Sequence, residues 1–218
     1  MIPMQHLDIS FVSDVACPWC AIGLASLQQA LGRVKGEIDT TVHVEPFELN
    51  PDMGPEGSDL VSYISRKYRR TPEQIAQVQA MIRERGAEVG FTFGPRKHVW
   101  NTLNAHRMLH WAGLEGRAVP LKSALLQAYH GEGRNPGDPR VLEELAGEVG
   151  LDRARAKAIA EGNEYESDVR ARERHWLEMG VSGVPFVVVD GKYAIEGAQT
   201  PEAYERALRQ IAKESKAA

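Results

Sequence analysis

The feature that most constrains this chain is a pair of cysteines three positions apart. Cys17 and Cys20 are the only two cysteines among 218 residues. A short apolar run ends just before them, and a helical pattern of apolar residues begins just after them. A Cys-x-x-Cys pair at a predicted strand-to-helix junction is typical of a thiol–disulfide redox centre.

The same position predicts that the two thiols differ in reactivity. A cysteine at a helix N-terminus meets unpaired backbone N–H groups and the positive end of the helix dipole, and both favour a thiolate. Pro18 falls at the first helical position, where its missing N–H costs nothing. We expect Cys17 to be the nucleophile and Cys20, about one turn further into the helix, to attack a mixed disulfide formed at Cys17. Trp19 is predicted to be exposed and to contact a substrate.

Two other interpretations of the cysteine pair stay open. The pair could supply half of a zinc site, but the chain has no second Cys-x-x-Cys. Of its seven histidines, only His106 and His110 have a ligand-like spacing to each other. The cysteines could also be two inert core residues. The Pro-Trp pair between them and their position at a predicted strand-to-helix junction argue against this. We therefore predict no metal site.

Composition limits the function classes. The hydrophobic content of 43% and charged content of 26% are ordinary for a soluble globular protein. A net charge of −4 gives no reason to expect nucleic acid or an anionic membrane as a partner. No window approaches the roughly 20 apolar residues that cross a bilayer, and no secretory signal is evident. We expect a cytoplasmic protein, in which a retained cysteine pair is reactive rather than a structural staple.

The order of predicted elements indicates an α/β fold interrupted by helices. Strands are predicted at 7–12 and 41–47, on either side of the helix that follows the motif. The signals are almost entirely helical from 58 to 179. Two strands then flank an Asp190-Gly191 turn, before a final helix. We predict one discontinuous domain formed by residues 1–57 and 180–218. Residues 58–179 would form a helical insertion whose last helix packs on the sheet.

A second motif lies far from the cysteines in sequence. Gly183-Val184-Pro185-Phe186 places an X–Pro bond immediately before an apolar strand. Only about 5–6% of X–Pro bonds are cis, so this motif is weak evidence alone and strong evidence beside a Cys-x-x-Cys. A cis-proline loop next to the thiols would present the Val184 backbone to a bound peptide or thiol.

Together these motifs resemble the thioredoxin superfamily, and the helical insertion resembles its DsbA-like branch. Within that branch the chain is similar to the FrnE-type group, which is related to 2-hydroxychromene-2-carboxylate isomerases and kappa-class glutathione transferases. The matching segments are SDVACPWCAIG at 13–23, PFELNP at 46–51, NTLNAHR at 101–107, GVPFV at 183–187 and GAQ at 197–199. The chain departs from the Cys-Pro-His-Cys of the periplasmic oxidant by having Trp19 in place of the histidine.

The resemblance implies a thioredoxin-like fold with an inserted helical domain. It also implies a protein disulfide oxidoreductase or isomerase that reduces, forms or isomerises disulfides. The catalytic residues would then be Cys17, Cys20 and Pro185. The implied substrate contacts are Pro18, Trp19, Asn50, Asn101, His106 and Val184.

The expected partners are a disulfide-containing protein or a small thiol. No tightly bound cofactor is expected. Glutathione is a candidate for the small thiol partner. Related proteins often pair, so a homodimer is one expectation. The alternative function is a glutathione-dependent isomerase or transferase acting on a small molecule. That group commonly has serine at the first motif position and needs no resolving cysteine. A non-catalytic binding module is the third hypothesis.

Overall fold

The computed structural model describes residues 5–217, which form six strands and nine α-helices. In chain order the elements are β1 (Gln5–Ser13), α1 (Pro18–Val34), β2 (Ile38–Pro46), β3 (Ser58–Asp59), α2 (Leu60–Tyr68), α3 (Pro72–Glu88), β4 (His98–Val99), α4 (Leu103–Leu114), α5 (Ala118–Leu126), α6 (Pro139–Glu148), α7 (Arg153–Glu161), α8 (Glu166–Glu178), β5 (Phe186–Val189), β6 (Tyr193–Glu196) and α9 (Pro201–Ala217). The predicted order is found, with two short strands, β3 and β4, added within the helical segment.

A four-stranded sheet carries the redox motif. Its strand order is β2-β1-β5-β6. β1 and β2 are parallel and are joined by α1, whereas β5 is antiparallel to β1 and β6 is antiparallel to β5. β1 is thus a central strand, and its carboxyl end delivers the chain directly to Cys17. This mixed sheet with helices confirms the predicted α/β, thioredoxin-like class.

Alternation along β1 explains why it is buried on the α1 side. Leu7, Ile9 and Phe11 are fully buried and belong to one core cluster. That cluster also contains apolar residues from α1 and α9, among them Leu24 and Leu208. Burying side chains of this kind contributes roughly 1.5–3 kcal/mol each. The packing fixes where α1 begins relative to the sheet.

The helix starts follow the sequence signals closely. Thr71 forms a complete capping box with Gln74, and Asp138 and Asp152 accept backbone N–H groups at the starts of α6 and α7. At α4 the N-cap residue is Thr102, which makes no side-chain cap bond. The side chain of Asn101, one residue earlier, instead accepts from the Leu103 N–H at 2.9 Å.

The helices between β2 and β5 form a second core cluster. It includes residues of α4, α5, α6 and α7, together with Val15 and Ala16 from the turn before the thiols. α8 contacts both α4 and β2. The helical segment thus packs directly against the redox motif, while its division from the sheet as a separate domain stays a prediction.

Two local features were not predicted. β3 and β4 form a two-residue antiparallel ladder, and α5 continues into a π-helical turn at Gln127–Gly131. Short ladders and π-turns leave no periodic signal of their own in a sequence. Among residues 5–217, no helix has both the length and the apolar character needed to cross a bilayer.

Candidate active site

Cys17 is the residue that caps the N-terminus of α1. Its backbone is extended, with φ −86° and ψ 115°, and the helix begins at Pro18. The Cys17 N–H donates to the Asp14 carbonyl at 3.3 Å, and the Cys20 N–H donates to the Cys17 carbonyl at 3.1 Å. The first turn of α1 therefore holds both thiols in the predicted order.

The cis-proline loop lies against Cys17. The Val184–Pro185 bond is cis, as predicted. The Cys17 thiol donates to the Val184 carbonyl oxygen at 3.5 Å. On α1, a Cβ at Gly23 would lie only 3.0 Å from Cγ of Pro185, so glycine allows the proline to pack closely on the helix. Residues 167 positions apart thereby meet at the first thiol.

The two thiols have opposite electrostatic environments. A hydrogen bond from the Cys20 thiol is the main cause that lowers the pKa of Cys17; burial opposes it, and the N–H groups of Cys20 and Trp19 add to it. Burial is the main cause that raises the pKa of Cys20 well above its ordinary value, and the neighbouring Cys17 adds to it. Cys17 is 5% exposed and Cys20 is 0% exposed. Cys17 is therefore the thiol more readily ionised.

Asp14 organises the turn between β1 and Cys17. Its carboxylate accepts the N–H of Ala16 at 3.0 Å and that of Leu49 at 2.7 Å, and it lies 3.3 Å from Nε2 of His106. Burial raises the pKa of Asp14, but the His106 contact and the two N–H bonds outweigh it, so the pKa is lowered. A buried carboxylate thus ties the motif to the loop after β2 and to α4.

Two further side chains hold the same turn from the helical segment. Nε2 of His130 donates to the Val15 carbonyl at 2.8 Å, and Arg96 donates to the Ala16 carbonyl at 3.2 Å. Nδ1 of His130 lies 3.2 Å from the Arg96 guanidinium. Burial lowers the pKa of His130 well below its ordinary value, so this ring is neutral. Neither residue was predicted as part of the site, because neither lies in a recognisable motif.

Pro18 and Trp19 lie on the side of the motif that faces α3. Pro18 lines a cavity of about 110 Å³ together with Phe93, Arg83 and Arg96. Trp19 is half-buried and packs against a small apolar cluster that includes Ile82. The expectation of an exposed Trp19 is corrected here: α3 covers part of the ring. Substrate contact by either residue stays a prediction.

The other predicted contact residues are more dispersed. Asn50 accepts hydrogen bonds from Tyr63 and from Lys67, the latter at 2.7 Å, beside a cavity of about 470 Å³. Asn101 donates to the Met53 carbonyl at 2.8 Å. His106 is only 2% exposed and faces Asp14. The structure therefore shows Asn101 and His106 in internal contacts, and their binding of substrate stays a prediction.

The zinc interpretation gains no support from the geometry. His106 faces Asp14, whereas the ring of His110 stacks near Tyr165 at a centroid distance of 5.2 Å. Within residues 5–217, no three His, Cys, Asp or Glu side chains are grouped so as to hold a metal ion.

Comparison with known proteins agrees with this geometry. Residues 8–209 match the family model described as DSBA-like thioredoxin domain. The uncharacterized protein YwbO of Bacillus subtilis (strain 168) is 30% identical over 203 residues, which cover 93% of this chain and 96% of that protein.

Two solved structures are also similar. The probable DsbA oxidoreductase of Streptomyces coelicolor is 31% identical with a TM-score of 0.87, covering 94% of this chain and 89% of that one. A 2-hydroxychromene-2-carboxylate isomerase has a TM-score of 0.75 at 16% identity, covering 95% and 97% of the two chains, and shows the shared fold. With its thiol pair at the start of α1 and a family match over nearly its whole length, the chain belongs to the DSBA-like thioredoxin domain family.

Proposed function

We propose that this protein is a thiol–disulfide oxidoreductase that works through Cys17 and Cys20. The observation that carries the proposal is the asymmetry between the thiols: the pKa of Cys17 is lowered at the helix N-terminus, and that of Cys20 is raised by full burial. The attacking species in disulfide exchange is a thiolate. Cys17 is therefore suited to attack a substrate disulfide, and Cys20 to attack the mixed disulfide that results.

The reaction would proceed in two exchanges. The Cys17 thiolate attacks one sulfur of a substrate disulfide, forming a mixed disulfide and releasing the other substrate sulfur as a thiolate. Cys20 then loses its proton and attacks Sγ of Cys17, which forms the Cys17–Cys20 disulfide and releases the remaining substrate thiolate. The two released thiolates take up protons. The substrate gains two electrons, and the protein loses them.

The groups around Cys17 favour the binding of a peptide or thiol in an extended conformation. The Val184 carbonyl beside the thiol is a backbone group of the kind that can pair with a peptide. Pro18, which follows Cys17 in the chain, and Arg96 border a cavity of about 110 Å³. A disulfide-containing protein or a small thiol such as glutathione fits this placement. In a cytoplasm held at reducing potential, reduction or isomerisation of disulfides is the favoured direction.

Insulin reduction in the presence of a dithiol tests the proposal. The wild type should accelerate the reaction, and Cys17→Ser should abolish the acceleration, because it removes the attacking sulfur. Cys20→Ser should form mixed disulfides with substrate that persist, since no second thiol releases them. Equal rates for the wild type and Cys17→Ser would overturn the proposal.

The wild type and the two serine variants also distinguish the alternative function from an oxidoreductase. A glutathione-dependent isomerase or transferase would bind glutathione without reducing any disulfide, and its activity would survive Cys20→Ser. The fully buried Cys20, one turn behind Cys17, favours the redox function, because a transferase has no need of it.

A further inference from the structure

One lysine lies inside the protein with no hydrogen-bond partner. Lys122 on α5 is fully buried, and its Nζ makes no hydrogen bond to any residue in the described range 5–217. A buried ammonium is costly unless an opposite charge is near. Neither the sequence motifs nor the exchange steps above assign this residue a role.

The neighbours of Lys122 along α5 place it beneath the redox motif. Leu121 and Leu125 belong to the core cluster that contains Val15 and Ala16, the residues just before Cys17. On the next turn, Leu126 belongs to the cluster that includes Ala21 and Leu24, just after Cys20. Ser123 accepts a hydrogen bond from Gln28 of α1 at 3.3 Å. The helix bearing Lys122 is therefore fixed against both sides of the motif.

The charges that act on Lys122 are the thiols and one carboxylate. Burial lowers the pKa of Lys122, and Cys20, then Asp14 and Cys17, oppose this lowering. Asp14 is already engaged by two backbone N–H groups and by His106. The group left to balance a charge on Lys122 is therefore Cys20, which sits in the same buried region.

We propose that Lys122 is the charge partner of Cys20 during the second exchange. As the Cys20 thiol loses its proton, the Lys122 amine takes one up, so the buried thiolate forms opposite an ammonium. Cys20 then attacks Sγ of Cys17 and displaces the substrate thiolate. That thiolate receives the proton as Lys122 returns to the amine. Protons and electrons balance without a further reactant. This role rests on the proposed oxidoreductase function and specifies how its second step becomes possible.

Other titratable groups face the same region and could influence its pH dependence. Three of these groups are Asp14 before α1, His106 on α4 and His130 after α5. Tyr204 of α9 lies within electrostatic range of Cys20, and Arg96 faces His130. None of them combines full burial with an unpaired cationic nitrogen, which is the property that sets Lys122 apart.

Reaction with dithionitrobenzoate separates the two thiols in one measurement. The first thionitrobenzoate is released when Cys17 attacks the reagent, and the second when Cys20 resolves the mixed disulfide. In Lys122→Met the first phase should keep its rate to within about twofold. The second phase should slow about tenfold near neutral pH and should keep rising to higher pH, as expected when a thiol pKa rises by about one unit. Lys35→Met, at the exposed far end of α1, is the matched control and should leave both phases unchanged.

The outcomes distinguish the two proposals. A wild type that releases no second thionitrobenzoate would overturn the oxidoreductase function itself. A wild type that releases both, with Lys122→Met matching its second-phase rate and pH profile, would overturn only the role of Lys122.

A measurement that keeps Lys122 in place covers the case in which Lys122→Met does not fold. Coupling between two sites is reciprocal, so removing the thiol must change the titration of the lysine. In ¹⁵N-lysine-labelled protein, the Lys122 Nζ resonance of Cys20→Ser should titrate at lower pH than in the reduced wild type, by about half a unit or more. An unchanged midpoint would contradict the proposal.

Discussion

The two thiols of the motif are one helical turn apart, yet their environments differ in nearly every respect. Cys17 caps α1, donates to the Val184 carbonyl and receives the hydrogen bond of its neighbour. Cys20 is wholly enclosed, and burial dominates its electrostatics. These environments lower the pKa of Cys17 and raise that of Cys20.

Asp14 lies at the boundary between the two environments, and its substitution should have the largest effect on them. Asp14→Asn replaces an acceptor of two backbone N–H groups by a side chain that must present N–H to one of its partners. We expect a loss of about 1–3 kcal/mol in the free energy of unfolding, measured by denaturant titration near neutral pH. Asp8→Asn makes the same change on the exposed face of β1 and should have little effect.

The pH dependence of that loss is fixed by the lowered pKa of Asp14. A carboxyl group whose pKa is lower in the folded state contributes stability above its unfolded pKa, and this contribution is lost as the pH falls through the folded pKa. The difference between wild type and Asp14→Asn should therefore shrink on acidification below about pH 4. A difference that grows in acid would contradict the account of Asp14.

The opposite pH dependence is expected from Glu48, another buried carboxyl group. Burial raises the pKa of Glu48 to about 8, with Glu173 adding to the shift and Arg170 opposing it. Because this pKa is higher in the folded state than the usual value near 4.5, stability should decline as the pH rises from about 4.5 through about 8. Glu48 therefore titrates where thiols also titrate and could be mistaken for one of them.

Glu48→Gln separates the two contributions. Relative to the wild type, this variant should gain stability steadily as the pH rises from about 5 to about 9, measured by thermal unfolding across that range. The exposed Glu115→Gln is the control and should follow the wild type. A Glu48→Gln profile that runs parallel to the wild type would show that Glu48 does not titrate near pH 8.

The fold and the thiol centre were predictable because their signals are local. The apolar alternation of β1, the Pro18 helix start, the Asp190-Gly191 turn and the X–Pro bond each follow from a few adjacent residues. The supporting shell was not predictable in the same way. Asp14 lies in the matching segment 13–23, but Arg96 and His130 reach the same turn from positions up to 116 residues away, and each of these two is an ordinary residue in its own segment.

Trp19 shows a second limit of local reasoning. The helical register places it on the outer side of α1, and the sequence indicated exposure. Because α3 comes from a distant segment and packs over that side, the ring is half-buried. Lys122 is the opposite case: a lysine on a helix is ordinarily placed at the surface, and only the packing of α5 beneath the motif reveals that it is enclosed.

The measurement that tests the account most directly is a pH titration of thiolate ultraviolet absorbance in the reduced wild type, Cys17→Ser and Cys20→Ala. We expect the wild type to show Cys17 ionising below the ordinary thiol value near 8.5, and Cys17→Ser to lose this transition. In Cys20→Ala the Cys17 transition should move to higher pH, because alanine cannot supply the hydrogen bond that the Cys20 thiol donates. Two thiols that ionise together near the ordinary value, with no change on substituting either one, would contradict the account.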